Sequence, residues 1–158
     1  MPLKANEVES DAPFTADELL YRRVNPAELN SKGEVDPSRI NVTSFTQGIE
    51  SAPSVNRSKF SEPCDVLHHD CAQRDTTDWK VFCVRVDSLP ERLVSGDGKR
   101  SFDFYPKHIP LEQCGAHSVV ASCITGDVNK AYVKPSGTVV RAFKARFAVS
   151  LKSVPTTA

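Results

Sequence analysis

The sequence predicts a single α+β domain, with a small, mostly antiparallel or mixed sheet covered by a central helix and a C-terminal amphipathic helix. Residues 79–86 and 117–124 are short runs that are apolar on both faces, which is typical of strands inside a sheet. Residues 62–73 follow a helix-starting pattern, and residues 137–152 carry apolar side chains at helical spacing. A chain of 158 residues, 39% hydrophobic and 25% charged, is long enough for one such domain.

The ends of the chain differ from its middle. Residues 1–16 are polar and acidic without periodicity, so we expect a disordered leader. The folded domain is then predicted over 17–153, and the tail 154–158 is expected to fray. The first apolar run, 19–24, fits a short helix or a first strand, because short apolar runs do not distinguish the two.

The central helix is predicted by the residues at its start. Ser61 is a suitable N-cap, and Glu62 and Pro63 suit the first turn, where negative charge and a missing N–H are tolerated. We therefore expect a helix over 62–73. The next strand signal, after the run 79–86, is weaker: Phe102 to Tyr105 predicts at most an edge strand that ends at Pro106.

Thiol and imidazole side chains allow two interpretations of the central helix. As ligands, Cys64, His68 and Cys71 share one helix face and could meet the C-x-x-H pair of Cys114 and His117 around zinc. As structural residues, the thiols are small buried hydrophobes. The five cysteines are odd in number and irregularly spaced, so we expect free thiols. A zinc ribbon usually has two closely spaced ligand pairs, whereas Cys64 and His68 lie a helical turn apart, so we expect no metal site and no other cofactor.

Charge is distributed unevenly along a chain of zero net charge. After Asp127 there are six positive residues and no acidic one, so residues 1–127 carry a net charge of −6. Such a segment is either a solvated helix face or a basic surface for another macromolecule. Arg141 and Lys144 lie off the apolar stripe of Phe143 and Phe147, so we expect both to be exposed, and we assign them as macromolecule-binding candidates.

The sequence contains no signal for a membrane. No apolar run approaches the ~20 residues that span a bilayer, and the first residues lack the apolar core of a signal peptide. We therefore expect a cytoplasmic protein without a membrane partner.

Three short motifs resemble a group of short bacterial proteins of no known activity. They are Leu20-Tyr21-Arg22-Arg23, Ser54-Val55-Asn56-Arg57 and Gly115-Ala116-His117. The resemblance implies a single bacterial α+β domain and assigns no catalytic role. It directs attention to five residues taken together: Arg22, Arg23, Ser54, Arg57 and His117.

The chemistry of these residues suits an anionic ligand. Arginines are permanently charged donors for phosphate or carboxylate, and His117 can transfer protons near neutral pH. If they converge, a phosphate-containing ligand is expected, with His117 and Ser54 as catalytic candidates. The structural alternative is that Arg22 or Arg23 pairs with an acid such as Glu18, while Ser54 caps a turn and His117 bonds backbone.

Two classes of function follow. The sequence has no phosphate-binding glycine loop, no G-x-S-x-G elbow and no dinucleotide fingerprint. We therefore expect a binding or accessory protein that recognises another macromolecule, a protein or, through the basic C-terminal segment, nucleic acid. The alternative is a small enzyme acting on a phosphate-bearing or nucleotide-like substrate. A concave site that holds His117 with Arg57 would favour the enzyme.

Overall fold

A computed structural model describes residues 2–9, 11–41, 48–68 and 78–156, and these residues are built mainly of β-strands. They form seven strands and two α-helices. In chain order the elements are β1 (Leu19–Val24), β2 (Ser54–Arg57), α1 (Pro63–His68), β3 (Lys80–Arg85), β4 (Leu93–Val94), β5 (Ser101–His108), β6 (His117–Ile124), α2 (Gly137–Ser150) and β7 (Lys152–Val154).

The seven strands form one curled antiparallel sheet, a half-barrel, in the order β4-β5-β6-β2-β1-β3-β7. The predicted fold class, an α+β domain with a small sheet under a central helix, is therefore wrong. The sheet dominates because strands that mix polar and apolar residues join it. Such strands contain no long apolar run, and a search for apolar runs misses them.

The strongest strand predictions are confirmed. The runs 79–86 and 117–124 form β3 and β6, and the ambiguous run 19–24 is the strand β1. β1 is extended because neighbours pair with it on both sides. β3 pairs along its whole length, and β2 pairs at Leu20 with Arg57 and at Tyr21 with Asn56.

Strand β5 is longer than predicted, because it continues through Pro106 to His108. Phe104, two residues before Pro106, donates its N–H to Pro90 on the β4 side of the strand. The nitrogen of Pro106 faces the same side, beyond the end of β4, whose pairing covers Ser101 and Phe102 alone. The absence of an N–H at Pro106 therefore removes no hydrogen bond between β5 and β4.

The main core lies between one face of the sheet and α2, the predicted C-terminal helix. Phe143 stacks on Phe104 of β5 with ring centroids 4.3 Å apart, and on Phe147 at 4.9 Å. Arg141 is exposed, whereas Lys144 is half-buried rather than exposed as expected. Neither helix of the described ranges is long and apolar enough to cross a membrane.

The central helix is short within the described residues and covers one corner of the opposite face. α1 spans Pro63–His68 and packs Val66 against Tyr21 and Val81, while residues 69–73 of the predicted helix lie outside the described residues. Ser61 does not cap it. Its hydroxyl donates instead to the carbonyl of Arg57 at 2.8 Å.

The described residues of the predicted leader lie against the domain. The N–H of Gly115 donates to the carbonyl of Leu3 at 2.6 Å, and the N–H of Ala5 donates to Glu112 at 3.3 Å. A Cβ at position 115 would lie 2.5 Å from the carbonyl oxygen of Lys4. Glycine is therefore required where this first segment crosses the loop before β6.

Replacing Phe143 by Ala should destabilise the protein by about 3–5 kcal/mol, because the buried ring leaves a cavity in the core. Urea denaturation measures the loss. Val149→Ala is the matched control on the same helix: Val149 is 70% exposed, and its truncation should change stability by at most about 0.5 kcal/mol. Equal stabilities of the two variants would contradict this packing.

Candidate functional site

Ser54 and His117 form a hydrogen-bonded pair. The Ser54 Oγ lies 2.6 Å from the His117 Nε2. Ser54 begins β2 and is exposed, whereas His117 begins β6 and is half-buried. In the sheet register His117 lies opposite Asn56, so it is the diagonal neighbour of Ser54 on the same face. The strand pairing therefore positions a hydroxyl against an imidazole.

The second ring nitrogen of His117 fixes the direction of this hydrogen bond. His117 Nδ1 lies 2.7 Å from the carbonyl oxygen of Ile109. A carbonyl only accepts, so Nδ1 carries the proton and Nε2 of the neutral ring accepts from the Ser54 hydroxyl. The N–H of Ile109 donates in turn to the carbonyl of His117 at 3.1 Å, which fixes the two residues opposite each other.

The environment keeps His117 neutral. Burial lowers the pKa of His117 below its ordinary value of 6.5, the hydrogen bond to Ile109 opposes this effect, and the nearby His108 lowers the pKa further. Burial disfavours the charged imidazolium because the protein interior solvates charge poorly. At pH 7 the ring is therefore able to accept a proton from Ser54, as a general base must.

Arg57 lies elsewhere and serves the fold. It is fully buried, and its Nε and Nη2 donate to the two carboxylate oxygens of Glu18 at 2.8 and 2.9 Å. Its remaining donors reach the carbonyl of Ala12 at 2.7 Å, the carbonyl of Pro13 at 2.8 Å and the Nδ1 of His108 at 3.4 Å. All the guanidinium donors are engaged, so Arg57 has none left for a ligand.

Two aromatic rings complete the surroundings of Arg57. Its Cζ lies 3.8 Å from the ring centroid of Phe14 and 5.1 Å from that of Phe60. Cation–π contacts of this kind are stronger when the cation is desolvated. The acid Glu18, expected as a partner of Arg22 or Arg23, thus pairs with Arg57.

Arg22 and Arg23 leave β1 on opposite faces. Arg22 Nη1 donates to the carbonyl of Ser54 at 2.9 Å, and its Nη2 donates to Asn41 at 2.7 Å. Its Cζ lies 6.0 Å from the Phe147 ring, on the core side, and burial lowers its pKa. Arg23 lies instead with its Cζ 5.4 Å from the ring centroid of Trp79.

The structure thus brings Ser54 and His117 together and does not bring Arg57 to them. Within the described ranges no group of three or more His, Cys, Asp or Glu residues could hold a metal ion. Of the residues considered as zinc ligands, Cys64 is half-buried and Cys114 is buried. Cys71 lies outside the described residues.

Sequence reasoning missed one neighbour of the pair, Asn56. It lies two residues after Ser54 in β2, directly opposite His117 in β6. Residues two apart share a face in a strand, so the spacing of Ser54 and Asn56 predicts that they are neighbours on one face once β2 is recognised as a strand. The polar Ser-Val-Asn-Arg pattern does not by itself indicate one.

No family model, curated protein or solved structure matches the chain. The resemblance of its three motifs to short bacterial proteins stays a prediction.

Replacing Arg57 by Ala should cost about 3–5 kcal/mol, because it leaves the Glu18 carboxylate buried without its partner. Urea denaturation at pH 7 measures the change. The matched control is Arg85→Ala, since Arg85 forms a comparable 2.8 Å pair with Asp87 at the surface, where loss of a pair has little effect. A similar small effect of both substitutions would rule out a structural role for the Arg57 pair.

Proposed function

We propose that the protein is a small enzyme in which Ser54 acts as the nucleophile and His117 as the general base. The observation that carries this proposal is the 2.6 Å distance between Ser54 Oγ and His117 Nε2. A nucleophile, a base within hydrogen-bond reach and a third group that orients the base are the common parts of such sites. Here the carbonyl of Ile109 orients the base.

Exposure of the nucleophile supports the proposal. Ser54 is exposed to solvent at the start of its strand, whereas a hydroxyl that serves only as the hydrogen-bond partner of a half-buried histidine needs no access. The neutral state of His117 supports it as well, because only the unprotonated Nε2 can take the proton of the hydroxyl.

The substrate class that these residues favour is an ester. A phosphate-bearing substrate was expected from the arginines, but the donors of Arg57 are used within the fold and Arg22 points to the core side. Two cations lie on the reactive face: Arg23, whose guanidinium lies over the Trp79 ring, and Lys107. Lys107 is exposed and pairs with Val119, which pairs with Ser54. An ester that carries an anionic substituent would fit beside it.

A fluorophosphonate probe should label Ser54, because its phosphorus is attacked by an activated serine hydroxyl and fluoride leaves. Intact-mass and peptide mass spectrometry identify the site. Since the pKa of His117 is lowered, the labelling rate should stay high as pH falls through 6.5 and decline only below it. The lowered pKa of His117 also affects the free energy of unfolding. Below pH 6.5 the unfolded chain binds a proton at His117 more readily than the folded chain does. The folded protein should therefore become less stable as pH decreases below 6.5.

The controls are Ser54→Ala and His117→Ala, which should lose labelling, and Ser31→Ala, which removes an exposed turn serine and should label normally. Absence of labelling in the native protein, or labelling that survives His117→Ala unchanged, would refute the catalytic pair.

A second function, recognition of another macromolecule, is favoured by the surface of α2. Arg141 and Arg146 are exposed there, and neither forms an ion pair within the described residues. Val149, three residues after Arg146, is 70% exposed, and Lys152 follows in β7. Unpaired cations around an exposed apolar side chain suit an acidic protein partner.

Changing Arg141 and Arg146 together to Glu should abolish capture of such a partner from a host extract, while leaving the thermal melting temperature nearly unchanged. Capture by the unaltered protein should weaken as salt rises, since exposed charges are screened. The charge-matched control changes Lys32 and Lys99, which are exposed in turns, to Glu. Salt-insensitive capture, or equal loss in the control, would argue against this surface.

A further inference from the structure

Asn56 lies beside the catalytic pair on the same face of the sheet. It follows Ser54 by two positions in β2, which places the two Cα atoms about 7 Å apart. In the register it lies between Tyr21 of β1 and His117 of β6, each directly opposite it. Directly opposed residues have Cα atoms about 4.5–5.5 Å apart. In the sheet, Asn56 thus lies between Tyr21 and His117 and two positions from the nucleophile.

The amide of Asn56 is available to a ligand. The residue is 7% exposed, yet its side-chain amide makes no hydrogen bond with any described residue. Among the side-chain polar atoms of the described residues, only the Nε of Arg22 is both fully buried and without a hydrogen-bond partner. The amide atoms of Asn56 also lack a partner, so they are not fully buried and keep some contact with solvent. A nearly buried donor without a protein partner is unusual, since such groups are ordinarily hydrogen-bonded.

The other unpartnered donor, the Nε of Arg22, is not available to a ligand on this face. This Nε is fully buried, and the guanidinium of Arg22 approaches Phe147 on the core side of the sheet. Its contact with Ser54 is to the backbone carbonyl. Asn56 and Ser54 instead share the other face of the sheet, on which Ser54 is exposed.

We propose that Asn56 is a further catalytic residue that donates its amide N–H to the oxyanion formed during hydrolysis of a carboxylic ester. This inference rests on the proposed function of Ser54 and His117. An amide donor suits a carbonyl oxygen that gains charge only in the transition state, because a donor without net charge does not strongly favour an anionic ground state. A role for Asn56 as oxyanion donor narrows the proposed substrates from esters in general to carboxylic esters.

The reaction balances with water as the second reactant. Ser54 Oγ attacks the carbonyl carbon, its proton passes to His117 Nε2, and the π pair moves to the oxygen that Asn56 binds. The carbon–oxygen bond to the alcohol then breaks, and the leaving oxygen takes the proton from His117. Water attacks the acyl-serine, its proton passes through His117 to Ser54, and the carboxylic acid is released.

The test compares hydrolysis of 4-nitrophenyl acetate by the native protein and by Asn56→Leu, which keeps the approximate shape and removes the donor. We expect kcat to fall about a hundred- to a thousand-fold with KM little changed, since the donor acts in the transition state. The acidic limb of the pH profile should not move, because it reports His117. Asn129→Ala, which alters an exposed asparagine, should hydrolyse the ester normally.

A second measurement uses the native protein. Phenylboronic acid forms a tetrahedral adduct on an activated serine, and the side-chain amide signal of Asn56 in a ¹⁵N NMR spectrum should shift on its addition, while that of Asn129 stays in place. An unmoved Asn56 signal, or Asn56→Leu with native kcat, would overturn the role of Asn56 and leave the pair intact. A native protein that neither hydrolyses the ester nor reacts with the fluorophosphonate would overturn both proposals.

Discussion

The buried positive charge of Arg57 is the constraint on which the first third of the fold depends. A guanidinium removed from water is tolerated only when an acid and further acceptors surround it. Glu18 supplies both carboxylate oxygens, and Ala12 and Pro13 supply carbonyls. All three acceptor residues precede β1, so burying Arg57 requires the chain before β1 to lie across the end of β2. The Phe14 ring, 3.8 Å from the guanidinium, closes this arrangement.

The same constraint extends to the reactive pair. The segment held at Ala12 continues back to Leu3, whose carbonyl accepts from Gly115 in the loop before β6. That loop delivers His117, and the residue opposite it, Ile109, orients its ring. On β2, alternation places Arg57 on the core face and Ser54 on the other. The strand β2 thus carries the buried Arg57 on one face and the proposed nucleophile Ser54 on the other.

The sequence predicts those elements whose pattern is local. β3, β6 and α2 follow from apolar runs and from helical spacing. β2 and the sheet order depend on pairing between distant segments, and no local pattern encodes their partners. The same limit applies to the site. Ser54 and His117 are plausible by chemistry, but their contact exists because of the register between β2 and β6. Whether an arginine is buried, as Arg57 is, depends equally on distant residues.

The placement of charge bears on how the proposed site would work. Arg57 and Arg22 are directed to the core side of the sheet, and burial keeps His117 neutral. The resting pair therefore contains no ion pair, and the two groups proposed to act beside His117, the hydroxyl of Ser54 and the amide of Asn56, are neutral dipoles. At the reacting atoms, charge would appear only as the carbonyl oxygen of a bound ester becomes anionic and the imidazole becomes cationic. Neutral, preorganised donors stabilise such a transition state without stabilising an anionic ground state equally, which is the condition for raising kcat rather than only tightening binding.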